Sequence, residues 1–129
     1  MASSLVETLT VDCAEPAVLA DFWCGVLGYA RGGADEDSAW IDDPAGQGWT
    51  MLFLVVPEGK SVKNRLHLDL RPPTSMEDEV VRLEGLGAKS VRLVAEGDGF
   101  WTIMADPEGN EFCVLRGPGD GWKPHEVLT

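Results

Sequence analysis

From Val6 to Cys13 the chain alternates in period two, with Leu9, Val11 and Cys13 on one side and Thr8, Thr10 and Asp12 on the other. That is the pattern of a half-buried strand. The period then changes. Val18, Leu19, Phe22, Trp23, Val26 and Leu27 follow helical spacing behind Glu15-Pro16, and Gly28 is suited to the left-handed turn that ends a helix. Three strands follow, Tyr29 to about Gly32, Ser38 to Asp42 and Trp49 to Val56, separated by acidic, glycine-containing turns. After Glu58-Gly59-Lys60-Ser61, which reads as a linker, the order starts again. A strand spans Arg65 to Arg71, and Pro-Pro-Thr-Ser leads into a helix from about Ser75 to Leu86. Thr74 or Ser75 can cap that helix, and Glu77, Asp78 and Glu79 oppose the positive end of its dipole. Strands at Ser90 to Glu96, Phe100 to Ala105 and Glu111 to Arg116 complete the pattern.

The order βαβββ is thus written twice, about 60 residues apart, as expected of a supersecondary unit that pairs with its copy to bury its apolar face. Leu27-Gly28 is echoed by Leu86-Gly87, and Asp43-Pro44-Ala45-Gly46 by Asp106-Pro107-Glu108-Gly109. Thr8-Leu9-Thr10-Val11 falls on His67-Leu68-Asp69-Leu70. The predicted fold class is α+β, a single domain over 1–117 with modules at about 5–58 and 64–117. The Gly/Pro-rich stretch 118–129 reads as a loosely packed tail unless Trp122 anchors it.

Composition adds exclusions. A formal charge of −12 over 129 residues leaves no basic footprint for nucleic acid or an anionic membrane, and suits a cationic ligand. Met1-Ala2-Ser3-Ser4 carries no positive charge, and the longest apolar run, Met51 to Val56, is too short to span a bilayer. A cytoplasmic protein is expected. Cys13, Cys24 and Cys113 are odd in number, lack CxxC spacing and sit in apolar elements, so they read as reduced thiols.

Three segments carry a family resemblance: Asp21-Phe22-Trp23-Cys24-Gly25-Val26-Leu27-Gly28-Tyr29, Asn64-Arg65-Leu66-His67-Leu68-Asp69-Leu70 and Asp106-Pro107-Glu108-Gly109-Asn110-Glu111-Phe112. In this order they resemble the vicinal oxygen chelate superfamily, which groups glyoxalase I, bleomycin-resistance proteins and extradiol dioxygenases. The resemblance covers roughly residues 5 to 116. It implies two βαβββ modules pairing into a curled mixed sheet, a cup with the helices outside, and a homodimer. It also implies a divalent metal held by His, Gln or Glu from the first and last strands of each module, acting as a Lewis acid.

Those ligand positions map here to Thr8, His67, Cys113 and one of Thr50, Leu52 or Leu54. Only His67 is a good ligand. A His67–Cys113 pair falls short of the three protein ligands usual in a catalytic zinc site, so no catalytic metal is expected, and those two residues would hold one if it bound. Strand parity puts Thr8, Thr10 and Asp12, then His67, Asp69 and Arg71, then Glu111, Cys113 and Leu115 on the cup face, with Leu52 and Leu54 as an apolar wall. Leu66, Leu68, Leu70, Phe112 and Val114 are assigned to the core. The candidate ligand-binding set is Thr8, Thr10, Leu52, Leu54, His67, Asp69 and Cys113. His67 is the candidate catalytic group, a general base or orienting donor whose protonation Asp69 would bias. Trp23 is expected in the core, some of Trp40, Trp49 and Trp101 in the cup, Glu111 at its rim, and His125 is read as incidental.

The reading that follows is a metal-free protein that binds a small molecule in the cup, as bleomycin-resistance members do. The alternatives are a metal-dependent lyase, isomerase or dioxygenase with a degenerate ligand set, a metal-free acid–base enzyme using His67, and an accessory domain whose cup is packed shut.

Overall fold

A computed structural model describes residues 3–124. The chain divides into two compact units, Met1–Ser61 and Val62–Thr129. Each has the βαβββ order: β1 (Thr8–Cys13), α1 (Pro16–Leu27), β2 (Ala30–Ala34), β3 (Ser38–Asp42) and β4 (Thr50–Val55), then β5 (Asp69–Leu70), α2 (Met76–Leu86), β6 (Lys89–Glu96), β7 (Gly99–Ala105) and β8 (Glu111–Val114). The strand orders are β1-β4-β3-β2 and β5-β8-β7-β6. In both units the first and last strands pair in parallel and the other pairs are antiparallel. The fold is therefore α+β, with two open four-stranded mixed sheets and one helix per unit.

The first unit packs α1 on one face of its sheet. Leu19, Phe22, Trp23 and Val26 bury against Ala39, Ile41, Met51 and Phe53, and full burial of such a side chain stabilises by roughly 1.5–3 kcal/mol. Pro16 opens the helix and Gly28, at φ 70°, closes it with its N–H on Cys24 O. In the second unit α2 packs on β6, β7 and β8, and the core centres on Leu83, Met104, Phe112 and Val114. Ser75, rather than Thr74, caps α2 by accepting from Asp78 N at 3.1 Å, and Gly87 ends it at φ 114°. Glu79 on the buried side of α2 is charged but not orphaned, because Arg82 grips both its oxygens at 2.7 and 2.9 Å.

The repeated Asp-Pro-x-Gly segments form the same turn. Asp43 Oδ1 accepts from Ala45 N and Asp106 Oδ1 from Glu108 N, both at 2.9 Å. Gly46 and Gly109 take φ 70° and 85°. A short carboxylate that bonds its own backbone two residues on, followed by a left-handed glycine, is what the spacing encodes.

Two elements differ from expectation. The strand predicted over Arg65 to Arg71 is reduced to Asp69–Leu70, which pairs with β8. Leu68 and Leu70 still accept from Cys113 N and Leu115 N at 2.8 Å, so the extended path and its alternation persist. Leu66 precedes that pairing and is 85% exposed, not in the core. Second, the tail is anchored as far as Trp122. A 3₁₀ turn at Pro118–Asp120 brings Gly119 N onto Thr74 O, and Asp120 Oδ2 accepts from Met76 N at 2.7 Å and Gly117 N at 2.9 Å. Asp120 is thus a second cap on α2. Gly117 is required there by space, since a Cβ would lie 2.2 Å from Thr74 O. His125 lies outside the described residues.

Candidate functional site

The helix covers one face of each sheet and leaves the other open. In the first unit, register puts Thr8 beside Thr50, Thr10 beside Leu52 and Asp12 beside Leu54, with Trp40 opposite Leu52. The candidates Thr8, Thr10, Leu52 and Leu54 therefore share the open face, as their parity requires. Trp40 lies flat across the Gly32–Gly33 backbone, where any Cβ would meet its ring. Thr50 donates to Asp42 Oδ1 at 2.6 Å. The pairs Thr10↔Leu52 and Asp69↔Cys113 occupy corresponding places in the two parallel ladders, which identifies Leu52 as the counterpart of Cys113. An apolar side chain thus stands where a ligand would be needed.

In the second unit the open face is concave. A cavity of about 460 Å³ has His67, Asp69, Cys113 and Glu111 on one side and Val94, Trp101, Ile103 and Leu115 on the other. This is within the roughly 300–1,000 Å³ of small-molecule sites, and a few polar groups against apolar walls is their usual make-up. Trp101 is the strand tryptophan that enters this cavity. Trp49 is exposed, and Trp23 is in the core as its helical spacing predicted.

Asp69 is the hub of the polar side. Its Oδ1 lies 3.0 Å from His67 Nδ1. A carboxylate only accepts, so the shared proton sits on Nδ1, and in the neutral ring Nε2 is left as acceptor. The Cys113 sulfur lies 4.0 Å from His67 Nδ1 and near the Asp69 carboxylate. Burial raises the Cys113 pKa, and the Asp69 carboxylate raises it further, against a smaller opposing effect of Lys63. Cys113 is therefore a protonated donor at neutral pH and a weak nucleophile. His67 and Asp69 are exposed to solvent, whereas Cys113 is buried.

Glu111 is more firmly held than a rim residue. Its side chain accepts from Asn64 N at 3.3 Å and faces Lys63 Nζ at 3.6 Å, while its own N–H donates to Asn64 Oδ1 at 3.1 Å. This reciprocal lock sets the approach of the chain to His67. Asn64 had been part of a motif only. Its role was not readable because the partners are 47 residues apart.

The ligating atoms of His67, Asp69 and Cys113 lie within 4.8 Å of one another, within reach of a single ion. Asp69 adds the third ligand that the His67–Cys113 pair lacked, and the donor set separates hard ions from zinc. A hard ion such as Mn²⁺ prefers oxygen and nitrogen donors, and here one of three is a sulfur. Zinc accepts a His, a carboxylate and a thiolate, and its binding here would have to displace the thiol proton. The trio does not fit a hard divalent cation.

The glyoxalase-like domain family matches residues 8–115. The chain belongs to that family. With it comes membership of the vicinal oxygen chelate superfamily. No curated protein matches the chain. Among solved structures it is similar to a glyoxalase/bleomycin resistance protein/dioxygenase family enzyme from Burkholderia phytofirmans PsJN, at 15% identity over 84% of this chain and 94% of that one, with a TM-score of 0.67. A glyoxalase-related enzyme from Fulvimarina pelagi is 18% identical over 90% of each chain, with a TM-score of 0.68. The fosfomycin resistance protein FosX from Listeria monocytogenes, complexed with Mn(II) and sulfate, is 13% identical over 91% of this chain and 92% of that one, with a TM-score of 0.70. At these identities the likeness is one of fold. No helix among the described residues is long and apolar enough to cross a membrane.

Proposed function

We propose that this glyoxalase-like protein binds a small molecule in the concavity on the open face of its second unit, without a catalytic metal. The observation that carries the reading is the His67–Asp69 pair, bonded at 3.0 Å with the Cys113 sulfur beside it, at the wall of a cavity of about 460 Å³. In that role His67 Nε2 orients a ligand donor, Cys113 packs as a neutral thiol, and Trp101 and Ile103 supply contact area. The face is tested by nuclear magnetic resonance with a mixed fragment library on the full chain. Hits should shift the Trp101 and Ile103 signals, and His67→Ala should weaken them about tenfold, the effect of losing one good hydrogen bond. Hits that ignore this face, or that bind the variant equally well, contradict the reading.

A second reading, a metal-dependent lyase, isomerase or dioxygenase, is supported by the spacing of the same trio, with all three ligand atoms within 4.8 Å. It requires the raised Cys113 thiol to ionise on binding.

A further inference from the structure

Five of the ten Lys and Arg side chains of this acidic protein line two adjoining concavities of the second unit. Lys63 and Arg92 border the first. Arg71, Arg116 and Lys123 border a second, of about 340 Å³, whose lining has no acidic residue among the described residues. With 22 Asp and Glu in the chain, an acid-free basic pocket runs against the composition. Three like charges lining one pocket repel one another, and an anion among them removes that cost.

The pocket is also built and flat-walled. Arg71 extends the His67–Asp69 row. Its Nη1 donates to Arg116 O at 2.7 Å and its guanidinium stacks 4.1 Å from the centre of the Trp122 ring. The Arg116 guanidinium lies 5.6 Å over Phe100. Held in this way, Arg71 has little rotamer freedom left to lose when it binds a ligand. Phe100, Trp101 and Trp122 provide aromatic faces, and Trp101 and Leu115 are shared with the first concavity. Trp122 and Lys123 come from the tail segment that Asp120 and Gly117 tie down.

We propose that this second pocket binds a planar anion, an aromatic carboxylate, with Arg71, Arg116 and Lys123 facing the charge and Trp122 and Phe100 the ring. The tail is then part of a binding site. Trp101 and Leu115 also line the first concavity, so the Trp122 signal is the one that reports on this pocket alone.

The test titrates benzoate, benzamide, benzamidinium and inorganic phosphate into the isotope-labelled full chain and follows the tryptophan indole signals, with Trp122 assigned by Trp122→Phe. Benzoate should move the Trp122 and Trp101 signals saturably and less strongly in high salt, and benzamide and benzamidinium should bind at least tenfold more weakly. Arg116→Gln and Lys123→Gln should each weaken benzoate severalfold while leaving the chain's amide spectrum intact. Phosphate as good as benzoate, benzamidinium better than benzoate, variants without effect, or no benzoate shift at millimolar concentration would each overturn the proposal.

Discussion

At the scale of single residues the behaviour of the site turns on Asp69. Sequence parity put it on the same face as His67, and that neighbourhood was legible. Its closeness to Cys113 was not, because it depends on the parallel register of Asp69 against Cys113 on a strand far along the chain. The consequence is chemical. Burial and the Asp69 carboxylate together hold the thiol above its ordinary 9.0, so alkylation of Cys113, followed by peptide mass spectrometry, should be slower than that of a free thiol. Asp69→Asn removes the negative charge while keeping an acceptor oxygen. It should speed alkylation of Cys113 severalfold near pH 8 without changing the rate at Cys24. An unchanged or slower rate at Cys113 would mean that burial alone protects it.

At the scale of elements the repeat was legible wherever local chemistry encodes the structure. Gly28 and Gly87 end the helices in left-handed conformations, and Asp43 and Asp106 nucleate matching turns. The rest depended on distant partners. β5 pairs with β8, far along the chain, and the order of the tail follows from Asp120 reaching the start of α2. Ser75 and Asp120 cap that start together. Ser75→Ala and Asp120→Ala should each cost about 1 kcal/mol in urea unfolding, and because they serve one helix end the double variant should depart from the sum.

The Asp43 turn gives a pH signature. Backbone N–H groups of Ala45, Gly48 and Gln47 hold its carboxyl below the ordinary 3.8. Its stabilisation is therefore complete above that ordinary value and is lost as pH falls through the lowered one. Asp43→Asn should lower the urea midpoint near neutral pH and converge on the wild type in acid. A constant difference across the range would show that the charge is not what the turn uses.

At the scale of the whole molecule the net charge says little about any one face. A charge of −12 suggested a cationic guest, yet half of the basic residues border the two concavities of the second unit. Composition averages over the surface, and only the fold shows which residues share a face. The family was legible from three motifs and is shown by the match over residues 8–115. The ligand set could be read more sharply once register had put Leu52 in the place corresponding to Cys113. The proposed function has no metal in the cavity. Its most direct test is the metal content of tag-free protein before and after incubation with Zn²⁺, Ni²⁺, Mn²⁺ and Fe²⁺, for wild type, His67→Ala and Cys113→Ser. The account predicts no stoichiometric metal in any of the three near neutral pH. An equimolar metal in the wild type that is lost in both variants would contradict it and establish the trio as a metal centre.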